Sequence, residues 1–295
     1  MNIARDLDTG VFTKLNTIFE KQGSYDILYI GSSRTAFTFN PLDIDLKNNF
    51  TSYNCGLPKI LSRNEITYGL LKTYLSNCKE NPKYVVMNID FFLWETTEGL
   101  IPDAQQFFPY MKFKHLYNAL LSNDSKFFFY NYFKIYRITH FNDYFYYNIY
   151  RNYKGNLIKI DKQYKANLNG FQRLHTQKSK EFYVLKNMKN IKLYNKRNKL
   201  KSIFQLCKEE NIKLIPIITP AYKSVIERVS QDSTHFYNVL NLCNKFDCKL
   251  LNFMEQNYCQ DSSVFFDELH LNKKGLKLFL KDFSIEMREI IKTDR

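Results

Sequence analysis

Ile27-Leu28-Tyr29-Ile30-Gly31-Ser32-Ser33-Arg34 is the stretch that decides how this chain folds. Four consecutive apolar residues without polar alternation read as a strand buried on both faces, the pattern of a parallel sheet covered by helices. Gly-Ser-Ser then ends the strand in a tight turn that presents a serine. Outward from here, Asp26–Ile30 is joined by four more short apolar runs: Phe50–Tyr53, Tyr84–Ile89, Lys213–Ile218 and Lys249–Phe253. Between them lie stretches with apolar residues at helical spacing, Asn64–Asn77, Lys196–Glu210, Ser224–Phe246 and Lys274–Ile291. This alternation predicts a doubly wound α/β sheet of about five parallel strands, flanked by helices and joined by right-handed crossovers.

The alternation breaks between about Pro102 and Asn195. Phe127 to Tyr153 holds fourteen Phe or Tyr in 27 residues, with no clean period. A stretch this long is not a loop of a compact domain. It predicts one α/β domain over residues 1–295 with an inserted helical subdomain, 105–195, between the third and fourth strands. The aromatics read either as a local core or as a lid, a sugar-stacking surface or a membrane-facing surface.

Charge is as uneven as the aromatics. Residues 151–201 carry 15 Lys or Arg against two acids, Asp161 and Glu181, so they supply +13 of the chain's formal +14. Such a segment is either a solvated face or a footprint for an anionic polymer or membrane surface. Nucleic acid is the weakest of the possible partners, because no helix-turn-helix, zinc or RNA-recognition pattern accompanies the charge.

The six cysteines, at 55, 78, 207, 243, 248 and 259, form no Cys-x-x-Cys pair and have no histidine at metal-ligand spacing. No metal or cofactor is expected, and several of these cysteines sit in apolar runs as small hydrophobes. The first 22 residues do not resemble a signal peptide, and no apolar run approaches the ~18–20 residues that span a bilayer. As written, the chain reads as cytoplasmic; an upstream anchor would make it envelope-associated.

The chemistry is suggested by two motifs far apart in sequence. Ligands of open α/β sheets bind beyond the carboxyl ends of the strands, where Ser33 falls. Asp267-Glu268-Leu269-His270 then places an acid three residues before a histidine, and Asn272 is better placed than Asp267 to cap the last helix. Serine, histidine and aspartate together are the parts of an acyl-transfer site. His115, His140, His175 and His235 have no comparable partner spacing.

Gly31-Ser32-Ser33 with a distant Asp267-x-x-His270-Leu-Asn-x-x-Gly275 resembles the SGNH, or GDSL, hydrolase family. The resemblance covers about two hundred residues of strand-helix frame and leaves out the insertion. It implies a flavodoxin-like fold and action on carboxylic esters, often acetyl groups of sugars, or acyl transfer. The Gly-Ser-Ser form is similar to branches linked to cell-envelope glycan and teichoic-acid modification. Residue by residue, it implies Ser33 as nucleophile and Asp267 and His270 as its partners, and Ile217-Ile218-Thr219-Pro220 looks like the end of the fourth strand. Two blocks depart from the family pattern. In Asn54-Cys55-Gly56-Leu57-Pro58-Lys59, Lys59 stands where a second glycine is usual, and Met87-Asn88-Ile89-Asp90 has Ile89 at the usual asparagine position. The expected oxyanion and substrate-binding groups are therefore Gly56, Lys59 and Asn88, with Arg34 either meeting a substrate anion or pairing with a structural acid.

These readings lead to an expected serine esterase or acyltransferase acting on an O-acyl, most simply O-acetyl, group of a glycan or envelope polymer. The alternative is a catalytically degenerate protein of the same fold that binds an acidic polymer through its basic insertion.

Overall fold

Strand formation follows the apolar runs. In the computed structural model the strands are β1 (Ile27–Ile30), β2 (Ser52–Asn54), β3 (Tyr84–Asn88), β4 (Phe92–Trp94), β5 (Met188–Asn190), β6 (Lys213–Ile218) and β7 (Leu251–Asn252). The structure describes residues 10–20, 23–48, 50–58, 63–90, 92–94, 101, 104–139, 171, 188–190, 199–230 and 234–294. Five strands form one all-parallel sheet in the order β2-β1-β3-β6-β7. With β4 and β5 set apart, this is the second-first-third-fourth-fifth order of a flavodoxin-like α/β fold.

The near-continuous apolar character of the strands is explained by two cores, one on each face. Alternate residues of β1 go to opposite sides: Leu28 and Ile30 join one cluster, Ile27 and Tyr29 the other. β3 does the same, with Val85 and Met87 opposite Tyr84 and Val86. The first cluster is covered by helices Gly10–Phe19, Asn64–Leu75, Leu200–Glu209 and Thr234–Lys245. The second is covered mainly by Lys273–Thr293, whose Phe279 and Phe283 surround Phe39 and Tyr29. A polar face on either side would have broken this period-two division of one apolar strand between two cores.

The sequence expectation of a single helix over Ser224–Phe246 is corrected to two, Lys223–Ser230 and Thr234–Lys245; residues 231–233 lie outside the described set. Ser-Gln-Asp-Ser at 230–233 interrupts the apolar period, which the longer expected helix ignored.

Of the inserted stretch, residues 104–139 are described and helical, with a 3-10 turn Ala104–Tyr110 and helices Lys114–Asn123, Lys126–Tyr132 and Lys134–Thr139. Phe107, Phe108, Leu116, Leu120 and Phe127 belong to the same apolar cluster as Leu28 and Val85, so this part packs into the main core. Gly69 allows the close approach, since a Cβ there would lie 2.6 Å from the Cβ of Ala119. The two ends of the excursion are tied together by β4 and β5, an antiparallel pair with Leu93 opposite Lys189. That ribbon was not foreseen. Among the described residues no helix is long and apolar enough to cross a membrane.

Candidate active site

β1 leads to β2 on one side and lies beside β3 on the other, so the carboxyl ends of β1 and β3 flank the crevice where the strand order reverses. Gly31 makes the turn out of β1 with φ +142°, and a Cβ there would sit 2.3 Å from Thr35 Oγ1. Both the backbone angle and the contact require glycine. Ser32 then caps the helix Ser33–Thr38, its Oγ accepting from the Arg34 N–H at 3.3 Å. Ser33 is left as the first residue of the helix, half-buried, with its hydroxyl facing the crevice partner described next.

The histidine arrives on a tight loop after β7. Phe265 and Leu271 bridge, the Phe266 N–H donates to the His270 carbonyl (2.7 Å), and the Asn272 N–H donates to the Val264 carbonyl (3.0 Å). Asn272 caps the helix Lys273–Thr293 by accepting from Lys274 and Gly275. Gly275 is needed there because a Cβ would meet the Val264 carbonyl oxygen at 2.2 Å. Glu268 is fully buried and accepts from the Ser224 hydroxyl, while its carbonyl accepts from the Tyr222 N–H at 2.9 Å. The loop is thereby tied to the segment that follows β6.

These two segments, 237 positions apart, place Ser33 Oγ 3.0 Å from His270 Nε2. Both carboxylate oxygens of Asp267 lie 2.9 Å from His270 Nδ1 on the other side of the ring. Asp267 Oδ1 also accepts from the backbone N–H groups of Leu269 (2.8 Å) and His270 (2.9 Å). Burial opposes the charge on Asp267, but the imidazole and the two amides outweigh it and hold the carboxyl below its ordinary value. A proton on Nδ1, facing the carboxylate, leaves Nε2 as the acceptor for the serine hydroxyl. The Phe37 ring meets the imidazole edge-on, with centroids 5.5 Å apart, and helps fix its plane.

The remaining expected site residues have other work. Arg34 is buried and pairs with Asp90 at 3.3 Å, and it donates to the carbonyl oxygens of Thr219 and of Pro220 (2.9 Å). It joins the ends of β1, β3 and β6, and the expectation that it meets a substrate anion is replaced by its structural alternative. Asn88 donates to Asp90 at 2.6 Å and accepts from the Thr219 N–H (3.1 Å) and hydroxyl (2.9 Å), so its amide is a strut between β3 and β6. The Gly56 N–H donates to Asn54 Oδ1 at 2.9 Å, which removes it as an oxyanion donor. Gly56 matters instead for contact: a Cβ there would lie 2.5 Å from the Ala36 nitrogen. Lys59 lies outside the described residues, as does most of 151–201.

Of three supporting residues, Asn54 and Asp90 lie in the two blocks compared with the family pattern but had no role assigned, and Lys14 had no sequence signal. Asn54 donates to the Thr35 (2.8 Å) and Phe39 (2.7 Å) carbonyls and holds the helix of Ser33 against β2. Lys14, on the helix Gly10–Phe19, is fully buried and donates to the Gly56 carbonyl from behind. Asp90 is the buried partner of Arg34. Lysine is a common surface residue, and only burial marks Lys14. All six cysteines are free thiols, and burial pushes Cys55 and Cys207 up to about 12.

No protein-family model and no curated protein matches this chain.

Proposed function

We propose that the chain is a serine ester hydrolase or acyltransferase of the SGNH type, acting on an O-acyl group of a glycan or envelope polymer. The observation that carries this reading is the single line Ser33 Oγ–His270 Nε2–Asp267, at 3.0 and 2.9 Å. Those distances are within reach for proton transfer without rearrangement. Ser33 attacks the ester carbonyl while His270 takes the hydroxyl proton, giving a tetrahedral oxyanion. His270 then returns the proton to the leaving alkoxide as the C–O bond breaks, and Ser33 holds the acyl group. Water or an acceptor hydroxyl, deprotonated by His270, releases it. Asp267 keeps the imidazole in the useful tautomer and stabilises its charged form. For the oxyanion, the Ser33 N–H is the nearest candidate donor; it has no acceptor among the described residues.

One observation favours a second reading, a degenerate protein that only binds an acidic polymer. The Gly56 N–H and the Asn88 amide are engaged elsewhere, and each missing oxyanion donor costs ~2.7–4 kcal/mol of transition-state stabilisation. Labelling with a fluorophosphonate separates the two. The catalytic reading expects wild type to be labelled and to cleave a small acetyl ester, and Ser33→Ala to do neither. Wild type that takes no label and turns over no ester would leave the binding reading.

A further inference from the structure

Nine large apolar side chains are exposed among the described residues, and five of them fall within eight positions: Phe128, Phe129, Tyr132, Phe133 and Ile135. The helices Lys126–Tyr132 and Lys134–Thr139 and the cap Phe133 between them, which carry these side chains, are anchored from below. Phe127 and Tyr130 are buried and pack on Phe108, with ring centroids 6.4 and 4.7 Å away. The neighbouring side chains point the other way, with Tyr132 64% and Ile135 78% exposed. The exposed rings contact one another, Phe128 with Tyr132 at 4.7 Å and Phe129 with Phe133 at 6.1 Å. They form one surface, beyond the scatter of single apolar residues that ordinary protein surfaces carry.

The charges around this surface identify its partner. Lys126 and Lys134 are exposed within it, and no acid occurs from Lys126 to Thr139. Protein–protein interfaces deplete lysine at an aromatic centre. Aromatic rings interleaved with lysines are the composition of segments that lie in the headgroup region of a bilayer, with rings in the acyl boundary and ammonium groups among lipid phosphates. The strongly basic stretch 151–201 in the same insertion adds attraction of the same sign.

We propose that the exposed face of residues 126–135 is a docking surface for an anionic lipid bilayer. Its function is to seat the chain at the membrane surface, and it is independent of the chemistry at Ser33.

The test uses the purified full chain with sedimented vesicles of phosphatidylcholine, alone or mixed with phosphatidylglycerol. Wild type is expected to sediment with the anionic vesicles and to be released by salt. Phe129→Ser/Phe133→Ser keeps every charge and is expected to lower partitioning about tenfold, a factor equal to about 1.4 kcal/mol. Lys126→Glu/Lys134→Glu is expected to lower it comparably and to weaken the salt dependence. Thermal midpoints report folding, and the highly exposed Ile135→Ser gives a second reading of the apolar contribution if the double serine variant does not fold. Wild type that stays in solution with anionic vesicles overturns the proposal. So does an aromatic variant that binds as wild type does, which would leave the basic stretch alone responsible. A wild-type dimer that the aromatic variant dissociates would assign the face to a second copy of the chain and overturn it equally.

Discussion

The rim and the floor of the candidate site each contain a cation-capable group facing a carboxylate, and they use it differently. On the rim, His270 and Asp267 are 2.9 Å apart with side chains 15% exposed, and the imidazole's second nitrogen faces Ser33. On the floor, Arg34 and Asp90 are 3.3 Å apart with side chains 1% and 2% exposed, and the guanidinium's other contacts include two backbone carbonyls. Ser33 and Arg34 are neighbours in sequence, yet one faces a group that can take its proton and the other locks three strand ends together. Partial access to solvent and a titratable partner leave the rim pair able to exchange a proton; complete burial and a permanently charged arginine make the floor pair a clamp.

The largest effect expected from breaking this comparison is on the rim. Asp267→Asn should lower kcat for a small acetyl ester by about 10⁴-fold, because the amide favours the wrong imidazole tautomer. Its stability cost should depend on pH with a definite sign. The carboxyl is held below its ordinary value in the fold, so its contribution is present above the unfolded value of ~3.9 and is lost as pH falls through the lower folded value. Urea midpoints of wild type and variant should therefore differ at neutral pH and converge in acid. A difference that grew as pH fell would contradict the geometry of Asp267.

Breaking the floor should act on stability first. Asp90→Ala leaves the Arg34 guanidinium buried without its carboxylate, at an expected cost of about 3–5 kcal/mol in chemical denaturation. Arg34→Met/Asp90→Leu removes both charges and should recover part of that loss, the rest staying lost with the hydrogen bonds to Thr219, Pro220 and Asn88. If Asp90→Ala lowered ester turnover with unchanged stability, the division between rim and floor would fail.

The smallest effect sharpens the comparison, because Lys14 is a floor cation that faces the Cys55 thiol rather than a carboxylate among the described residues. Burial, opposed by Cys55, pushes its ammonium down to about 7. Against an unfolded value of ~10.4, the penalty for burying the charge is complete below about pH 7 and disappears by about pH 10. Lys14→Met is expected to raise stability below pH 7, because it removes the buried charge. Near pH 10 it should destabilise by about 1 kcal/mol, since only the lost hydrogen bond to the Gly56 carbonyl remains. Thermal melts at the two pH values read the change of sign.

Much of the frame was legible because it depends on local pattern. The apolar runs place all five sheet strands within about two residues, and the alternation of strands and helices gives a doubly wound parallel sheet, while the strand order was expected only from the family resemblance. The ribbon β4–β5 was not legible: Phe92–Trp94 and Met188–Asn190 are three residues each and pair across almost a hundred positions. In the aromatic stretch, counting Phe and Tyr could not separate Phe127 and Tyr130, which are core, from Phe128 and Phe129, which face outward. Adjacent residues of a helix differ in direction by about 100°, and which one is covered depends on where the helix docks.

The sequence by itself determined the parts: a buried strand ending in Gly-Ser-Ser, an Asp-x-x-His loop leading into a helix capped by Asn272, and a chain long enough to bring them together. These depend on residues close in sequence, whose backbone preferences and hydrogen bonds are local. The tertiary structure alone decided which polar groups face one another at the crevice and which are tied into the frame. Asn54 takes the Gly56 N–H, Asp90 takes Arg34, and Asn88 is held by Thr219, because a buried donor or acceptor must find its partner among whatever groups the packed strand ends bring within reach.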